Sequence, residues 1–221
     1  MHGAMLSADR AWTLEQNDRR LTLFAEPRPY AVRRHRHPAW KLVLSEGEAV
    51  ATGGRAVSGP GLLVPPQLAH ACRTTAGYAA LFLDPWLLAG PAEITPLSAA
   101  SVRRLRAALP DLDSAYEELV ALTGAAPAEL DPRVAYALNS GASAEEVGLS
   151  PVRLRALVRE SVGVPLVLLR RWARLRTAVT ALAQAPPATA AAEAGFADQP
   201  HLTRTARTLL GRTPGSFTTV R

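Results

Sequence analysis

The feature that most constrains this 221-residue chain is an internal repeat near its end. AEEVGLSPVRLRALVRESVG (144–163) returns as AAEAGFADQPHLTRTARTLLG (191–211). Ser150 matches Asp198, Leu154 matches Leu202, Val158 matches Ala206 and Gly163 matches Gly211, all 48 residues apart. Ahead of the turn, Ala144, Glu146 and Gly148 match Ala191, Glu193 and Gly195 at a spacing of 47, so the second turn is one residue longer. Each copy reads as helix, tight turn and second helix. A glycine permits the turn's positive φ. Ser150 and Asp198 are N-cap residues, and Pro151 and Pro200 fall in the first turn, where a missing N–H costs little. Leu154, Leu157 and Val158 form the buried stripe of one copy, Leu202 and Ala206 that of the other. A lone arginine-studded helix pair would read equally well as a plain bundle. Duplication of caps, glycines and core positions together favours two tandem helix-turn-helix units.

Between the copies, Pro165–Gln184 carries Leu168, Trp172, Leu175, Val179 and Leu182 at helical spacing, one continuous seam. A helix of about 18–20 residues spans about 27–30 Å, close to the roughly 34 Å between successive major-groove faces. Arg170, Arg171, Arg174 and Arg176 lie off that seam and are candidates for phosphate contacts or for a solvated face.

Charge agrees with a polyanion partner. The net charge of +6 is uneven: residues 1–127 hold 13 basic and 12 acidic side chains, whereas residues from 150 onward hold 11 and 3. Double-stranded DNA is the first reading and an acidic membrane surface the second. No apolar run has the length of a membrane span, and the opening MHGAMLSADRAW lacks the pattern of a signal peptide. One cysteine, Cys72, excludes a disulfide framework. The expected compartment is the cytoplasm.

Residues 10–90 read differently. Short apolar or alternating runs (20–25, 40–44, 61–64 and 79–83) are separated by turn-rich stretches such as EPRP and ATGGRAVSGPG, the pattern of a β-sandwich or barrel. Helical periodicity follows over 97–109 and 113–122, then a linker, TGAAPAELDP (123–132). The fold class is therefore α+β: a β domain (1–95), a helical segment (96–127) and an all-α domain of tandem helix-turn-helix units (128–221). The middle helices are candidates for forming a homodimer, and packing within the domain explains their apolar faces equally well.

GFADQPHLTRTARTLLGRTPGSF (195–217), with LSPVRL (149–154) and RLRTAVTAL (174–182), resembles the AraC/XylS family of transcription regulators over residues 131–221. Ala206 departs from it, standing where the family carries a bulky aromatic, so a lighter core is expected there. The resemblance implies that bases are read from Val152, Arg153, Arg155 and Ala156 in the first unit, and from Gln199, Pro200, His201, Thr203 and Arg204 in the second. Arginine suits a guanine edge, glutamine an adenine, and Val152 or Ala156 a thymine methyl. Arg159 and Arg207, one turn further along, suit phosphates. An activator of this kind would also meet RNA polymerase.

The family often carries a cupin-like sensor ahead of its DNA-binding part, and this chain is similar: His35 and His37 form an HxH pair, and PPQLAH (65–70) resembles the second cupin motif, with Gln67 in place of its glycine. Strand residues two apart share a face, so His35, His37, His70 and Cys72 make a candidate tetrahedral site for zinc or a similar ion. Lys41 and Leu42 stand where an enzymatic cupin has its glutamate. The alternatives are histidines satisfied by hydrogen bonds, or a pocket for an organic effector that the RRHRH run would draw in if anionic. Trp40 and Trp86 are pocket or core residues. The competing function is a metal-dependent oxygenase or isomerase with an accessory helical domain; the leading one is a DNA-binding regulator, not an enzyme, governed by a small effector.

Overall fold

In the computed structural model, which describes residues 13–16, 21–125 and 127–217, the alternating stretch forms eight strands. These are β1 (Thr13–Gln16), β2 (Thr22–Glu26), β3 (Ala31–His35), β4 (Trp40–Thr52), β5 (Ala56–Val64), β6 (His70–Thr74), β7 (Tyr78–Leu83) and β8 (Thr95–Leu97). The segment read for a signal peptide, 1–12, lies outside the described residues, as does Arg20. All observed pairings are antiparallel, in the order β1-β2-β7-β4-β5-β8. The long β4 folds the sheet over: Trp40–Ser45 pair with β7, and Ala49–Thr52 with β6, which in turn carries β3. The bend lies between Leu44 and Ala49, where the β4–β5 register shifts. Pro60, which has no N–H for a ladder, falls opposite this irregularity. ATGGRAVSGPG is thus not one turn, as the sequence suggests; only Gly53–Arg55 turn, with Gly54 at φ 120°, and the remainder is strand.

Strand periodicity sorts the side chains into two layers. Leu21, Leu23, Leu42, Leu44, Leu81 and Leu83 face α1 (Ala99–Ala108) and α2 (Leu112–Thr123), whose Val102, Leu105, Tyr116 and Leu119 complete one core. The apolar faces of these helices are therefore spent within the chain. On alternate positions, Phe24, Ala80 and Phe82 join a second core with the C-terminal helices.

Those helices are α3 (Pro132–Ser140), α4 (Pro151–Val162), α5 (Leu166–Ala181), α6 (Pro187–Glu193) and α7 (Gln199–Leu210). The linker is strapped to the β domain, with the Ala128 amide donating to Trp86 O at 2.9 Å. α5 is shorter than the sequence suggests: 16 residues, about 24 Å. Its last turn tightens at Leu182–Gln184, and Pro186 and Pro187 prevent continuation. Among the described residues no helix is long and apolar enough to cross a membrane.

Candidate nucleic-acid interface and histidine cluster

The repeat is structural as well as sequential. In both units the turn glycine is left-handed, Gly148 at φ 65° and Gly195 at φ 73°. The same two bonds close each turn: Gly148 N to Glu145 O and Leu149 N to Ala144 O, then Gly195 N to Ala192 O and Phe196 N to Ala191 O. Ser150 Oγ accepts from the Arg153 amide at 3.2 Å and Asp198 Oδ1 from the His201 amide at 2.6 Å. The units differ before the turn. In the second, α6 has seven residues. In the first, Gly141 ends α3 and leaves only Ala144–Gly148, a single turn opened by a reciprocal capping box between Ser143 and Glu146.

α4 and α7 bury Leu154 and Val158, and Leu202 and Ala206. Ala206 is fully buried in a core to which the β domain supplies Phe24 and Phe82, so the small residue sits in shared packing. The opposite faces carry the expected reading positions. Val152, Arg153, Arg155, Ala156 and Arg159 are exposed on α4; Gln199, Pro200, Arg204 and Arg207 are exposed on α7. His201 and Thr203 are half-buried, His201 standing edge-on to Phe196 with centroids 5.2 Å apart. No ion pair engages the arginines of either face among the described residues, so their charge is available to a polyanion.

The arginines of α5 divide. Arg171 is exposed. Arg170 donates to Ala142 O at 3.0 Å and Arg174 to Gly195 O at 3.2 Å, each bracing a turn. Arg176 is not a phosphate contact: its side chain is 5% exposed and pairs with Asp84 at 3.1 Å, holding α5 to the β domain. It follows Trp172 by one turn and so belongs to the edge of the buried seam. Arg212, which the sequence reading passed over, makes a second such tie. It pairs with Glu26 at 3.2 Å and lies over the rings of Tyr30 and Phe24 at 4.0 and 4.8 Å. Trp86 enters the core of the first helix-turn-helix unit, and Trp40 is buried with Nε1 donating to Leu88 O at 2.7 Å, so both tryptophans are core.

His35, His37 and His70 converge. Candidate ligand atoms of the three lie within 4.8 Å of one another, and all three side chains are buried. Each Nδ1 faces a carbonyl: Arg33 O at 2.8 Å, Ala39 O at 2.7 Å and Leu68 O at 3.0 Å. A carbonyl only accepts, so Nδ1 carries the proton and Nε2 the lone pair. All three Nε2 atoms are buried without a partner. Burial, aided by the Lys41 charge, lowers the His35 pKa to about 2 and that of His70 to about 4. Burial and the neighbouring His70 and His35 place His37 well below its ordinary value. Neutral rings with oriented, unsatisfied Nε2 atoms are the donor set a zinc-like ion requires, so the residues fit such a group. Cys72 does not join them: it packs with Val43, Ala51 and Leu62 in a separate apolar cluster. Gln67 takes up the backbone of the glycine it replaces, at φ 64°.

The cluster lies under the end of α7. The Arg36 amide donates to Thr208 O at 3.2 Å and the Arg33 amide to Gly211 O at 3.4 Å. Gly211, at φ 70°, lies so close that a Cβ there would be 2.8 Å from His35 Nδ1. Beside it, a cavity of about 50 Å3 separates the sheet from α5 and α7, lined by Phe24, Lys41, Phe82, Trp172 and Val179 among others. Lys41 is buried, and its ammonium has no hydrogen bond or ion pair among the described residues; it lies 5.8 Å from the Phe82 ring centre.

Residues 143–219 match a family model described as a helix-turn-helix domain. No curated relative matches the chain in sequence. Among solved structures, ToxT from Vibrio cholerae aligns over 94% of this chain and 98% of its own, with a TM-score of 0.56 at 8% identity. ToxT with a bound unsaturated fatty acid aligns over 96% of both chains, with a TM-score of 0.57 at 10% identity. The AraC-like transcriptional activator CuxR aligns more loosely, over 90% of this chain and 76% of its own, with a TM-score of 0.37 at 14% identity. The helix-turn-helix match falls on the duplicated units, and the whole chain shares its fold with ToxT, a β domain followed by two helix-turn-helix units.

Proposed function

We propose that the protein reads a two-part site in duplex DNA, with α4 and α7 in successive major grooves, and that a divalent metal ion on His35, His37 and His70 is the effector that sets how firmly α7 is seated. One observation carries this reading. The segment from β3 to His37 supplies two of the three histidines, and also the two amides that hold Thr208 O in the last turn of α7 and Gly211 O at its C-cap. Helix-terminal carbonyls have no partner within their own helix, so β3 acts as the cap of the second reading head. An ion would give the three Nε2 atoms the partner they lack and fix that cap. The partial negative charge at the end of α7 favours a cation beside it, whereas Lys41 opposes one.

On the DNA side, Arg155 and Arg204 suit guanine edges and Gln199 adenine, with Arg159 and Arg207 on phosphates. The test is an anisotropy titration against duplexes enriched from genomic fragments, with zinc and with chelator. Arg204→Ala should cost about 1–3 kcal/mol and relax preference at one position. Absence of specific duplex binding at low salt under both conditions refutes DNA reading. Binding that is specific but indifferent to zinc, with no metal retained by the protein, refutes the metal effector alone.

Lys41 favours a second reading, in which the effector is an apolar acid. An unpaired buried ammonium beside Phe24, Phe82 and Trp172 offers charge and apolar surface together, and ToxT has been solved with a fatty acid and with a naphthalenyl butenoic acid. The cavity would have to widen by parting α5 from the sheet, which would again act on α7.

A further inference from the structure

β3 has an outward side that the metal reading does not use. Along the end of β3 and the residues that follow it, His35 and His37 are buried, and Arg34 and Arg36 are exposed. Arg33 is exposed as well, and none of the three makes an ion pair among the described residues. Three adjacent arginines left unpaired are ordinarily a solvated surface. Here the backbone gives them an address. The bonds from Arg36 N to Thr208 O and from Arg33 N to Gly211 O fasten this run to the end of α7.

On α7, Pro200, Arg204, Thr208 and Gly211 follow one another at spacings of four, four and three, so they lie along one stripe of the helix. That stripe begins with the expected base-reading positions and ends on β3. Arg204 and Thr208 are about 6 Å apart along the axis, and Arg36 begins one hydrogen bond further on. The major groove is about 12 Å wide. An arginine at that distance from a base-reading side chain therefore meets the wall of the groove, where the phosphates are.

We infer that Arg34 and Arg36 contact DNA phosphates flanking the half-site read by α7, so that the β domain is itself part of the DNA interface. The inference rests on α7 reading DNA and is independent of any metal. Such contacts strengthen binding and fix position without reading sequence.

The experiment compares full-length wild type with Arg34→Ala/Arg36→Ala, Arg34→Lys/Arg36→Lys and, as a remote control, Arg55→Ala on the β4–β5 turn, using the enriched duplex over a salt series. Each lost phosphate contact reduces the slope of log K against log salt by about 0.9. The double alanine variant should therefore lose about 1.8, with affinity falling alike for matched and mismatched duplexes. The lysine variant should keep most of the slope, and Arg55→Ala all of it. Hydroxyl-radical footprints should shorten at the outer edge of the second half-site in the alanine variant only. A wild-type slope and footprint in that variant, while Arg204→Ala still relaxes base preference, overturns the inference and leaves DNA reading intact. Loss of slope in Arg55→Ala as well also overturns it, since general charge would then suffice. If wild type selects no duplex at all, DNA reading fails and the inference falls with it.

Discussion

Removing the Asp84 carboxylate should cost this protein a large share of its stability. Asp84 and Arg176 are 92 residues apart in sequence, with side chains 2% and 5% exposed, and they meet through contacts of 3.1 and 3.3 Å. At an effective dielectric constant near 20, unit charges at that separation attract by about 5 kcal/mol. Bringing both out of water consumes much of that, so the pair as a whole contributes little net stability. Breaking it is another matter: Asp84→Ala leaves a guanidinium enclosed between α5 and the sheet, with an expected loss of about 3–5 kcal/mol. Domains of ordinary stability have about 5–15 kcal/mol in total. Replacing both partners by apolar residues, Asp84→Leu with Arg176→Met, should bring the protein back to within about 1 kcal/mol of wild type. Urea unfolding followed by tryptophan fluorescence compares wild type, Asp84→Ala, the single changes Asp84→Leu and Arg176→Met, and the double variant, and Trp172 lies one turn from Arg176. If Asp84→Ala costs less than about 1 kcal/mol, or if the double variant is as unstable as the two single losses added together, the pair is screened by solvent and does not fasten α5 to the β domain.

Three further outcomes follow from the same structure. Ser150→Ala and Asp198→Ala should each cost about 1 kcal/mol in urea unfolding, with Asp198 the larger because its charged cap also meets the positive end of α7. Lys41→Met removes an unpaired buried cation and should raise the melting temperature by about 2–4 °C per kcal/mol regained, while abolishing any thermal shift caused by an apolar acid; a lower melting temperature would show that the ammonium is solvated. In metal-free protein, His70 stays neutral down to about 4 and His35 to about 2, whereas the unfolded chain takes up protons from about 6.5. The unfolded state then binds more protons across that window, so stability is complete above pH 6.5 and should fall by about 1 kcal/mol per histidine for each pH unit below it. His70→Gln should flatten that dependence in urea titrations at pH 7, 6 and 5.

The sequence exposed what local chemistry decides. Caps, turn glycines and the stripes of α4 and α7 are set within a dozen residues, and each unit stands where its pattern ends. Arg176 was misread because the helix period alone places it beside the seam, and its reason for being buried is a carboxylate on another domain. Arg212 went unnoticed for the same cause, since Glu26, Tyr30 and Phe24 are remote in sequence. Cys72 shows the limit of strand alternation. Residues two apart on a regular strand share a face with their Cα atoms about 6.6 Å apart, so a shared face does not by itself bring both side chains to one ion. His35 and His37 manage it because β3 ends at His35 and the chain turns through Pro38. His70 and Cys72 both remain within β6, so Cys72 is carried opposite Val32 and Ala51 into apolar packing.

The two helix-turn-helix units are not held alike, and that difference bears on the proposed control. The first unit meets the β domain mainly through Trp86, set in the core of α3, α4 and α5 with Leu87 packed against it. The second shares a whole core with it: Phe24, Ala80 and Phe82 of the sheet pack among Trp172, Val179, Leu202 and Leu209. Around that core stand the Glu26–Arg212 pair and the two amides of the β3 segment. An effector that shifts the sheet by a fraction of an ångström therefore alters the packing of α7 directly, because close-packed interiors transmit strain, while α4 feels it through the smaller contact at Trp86 and through α5. If an effector acts through the β domain as proposed, its effect should fall on the second half-site more than on the first.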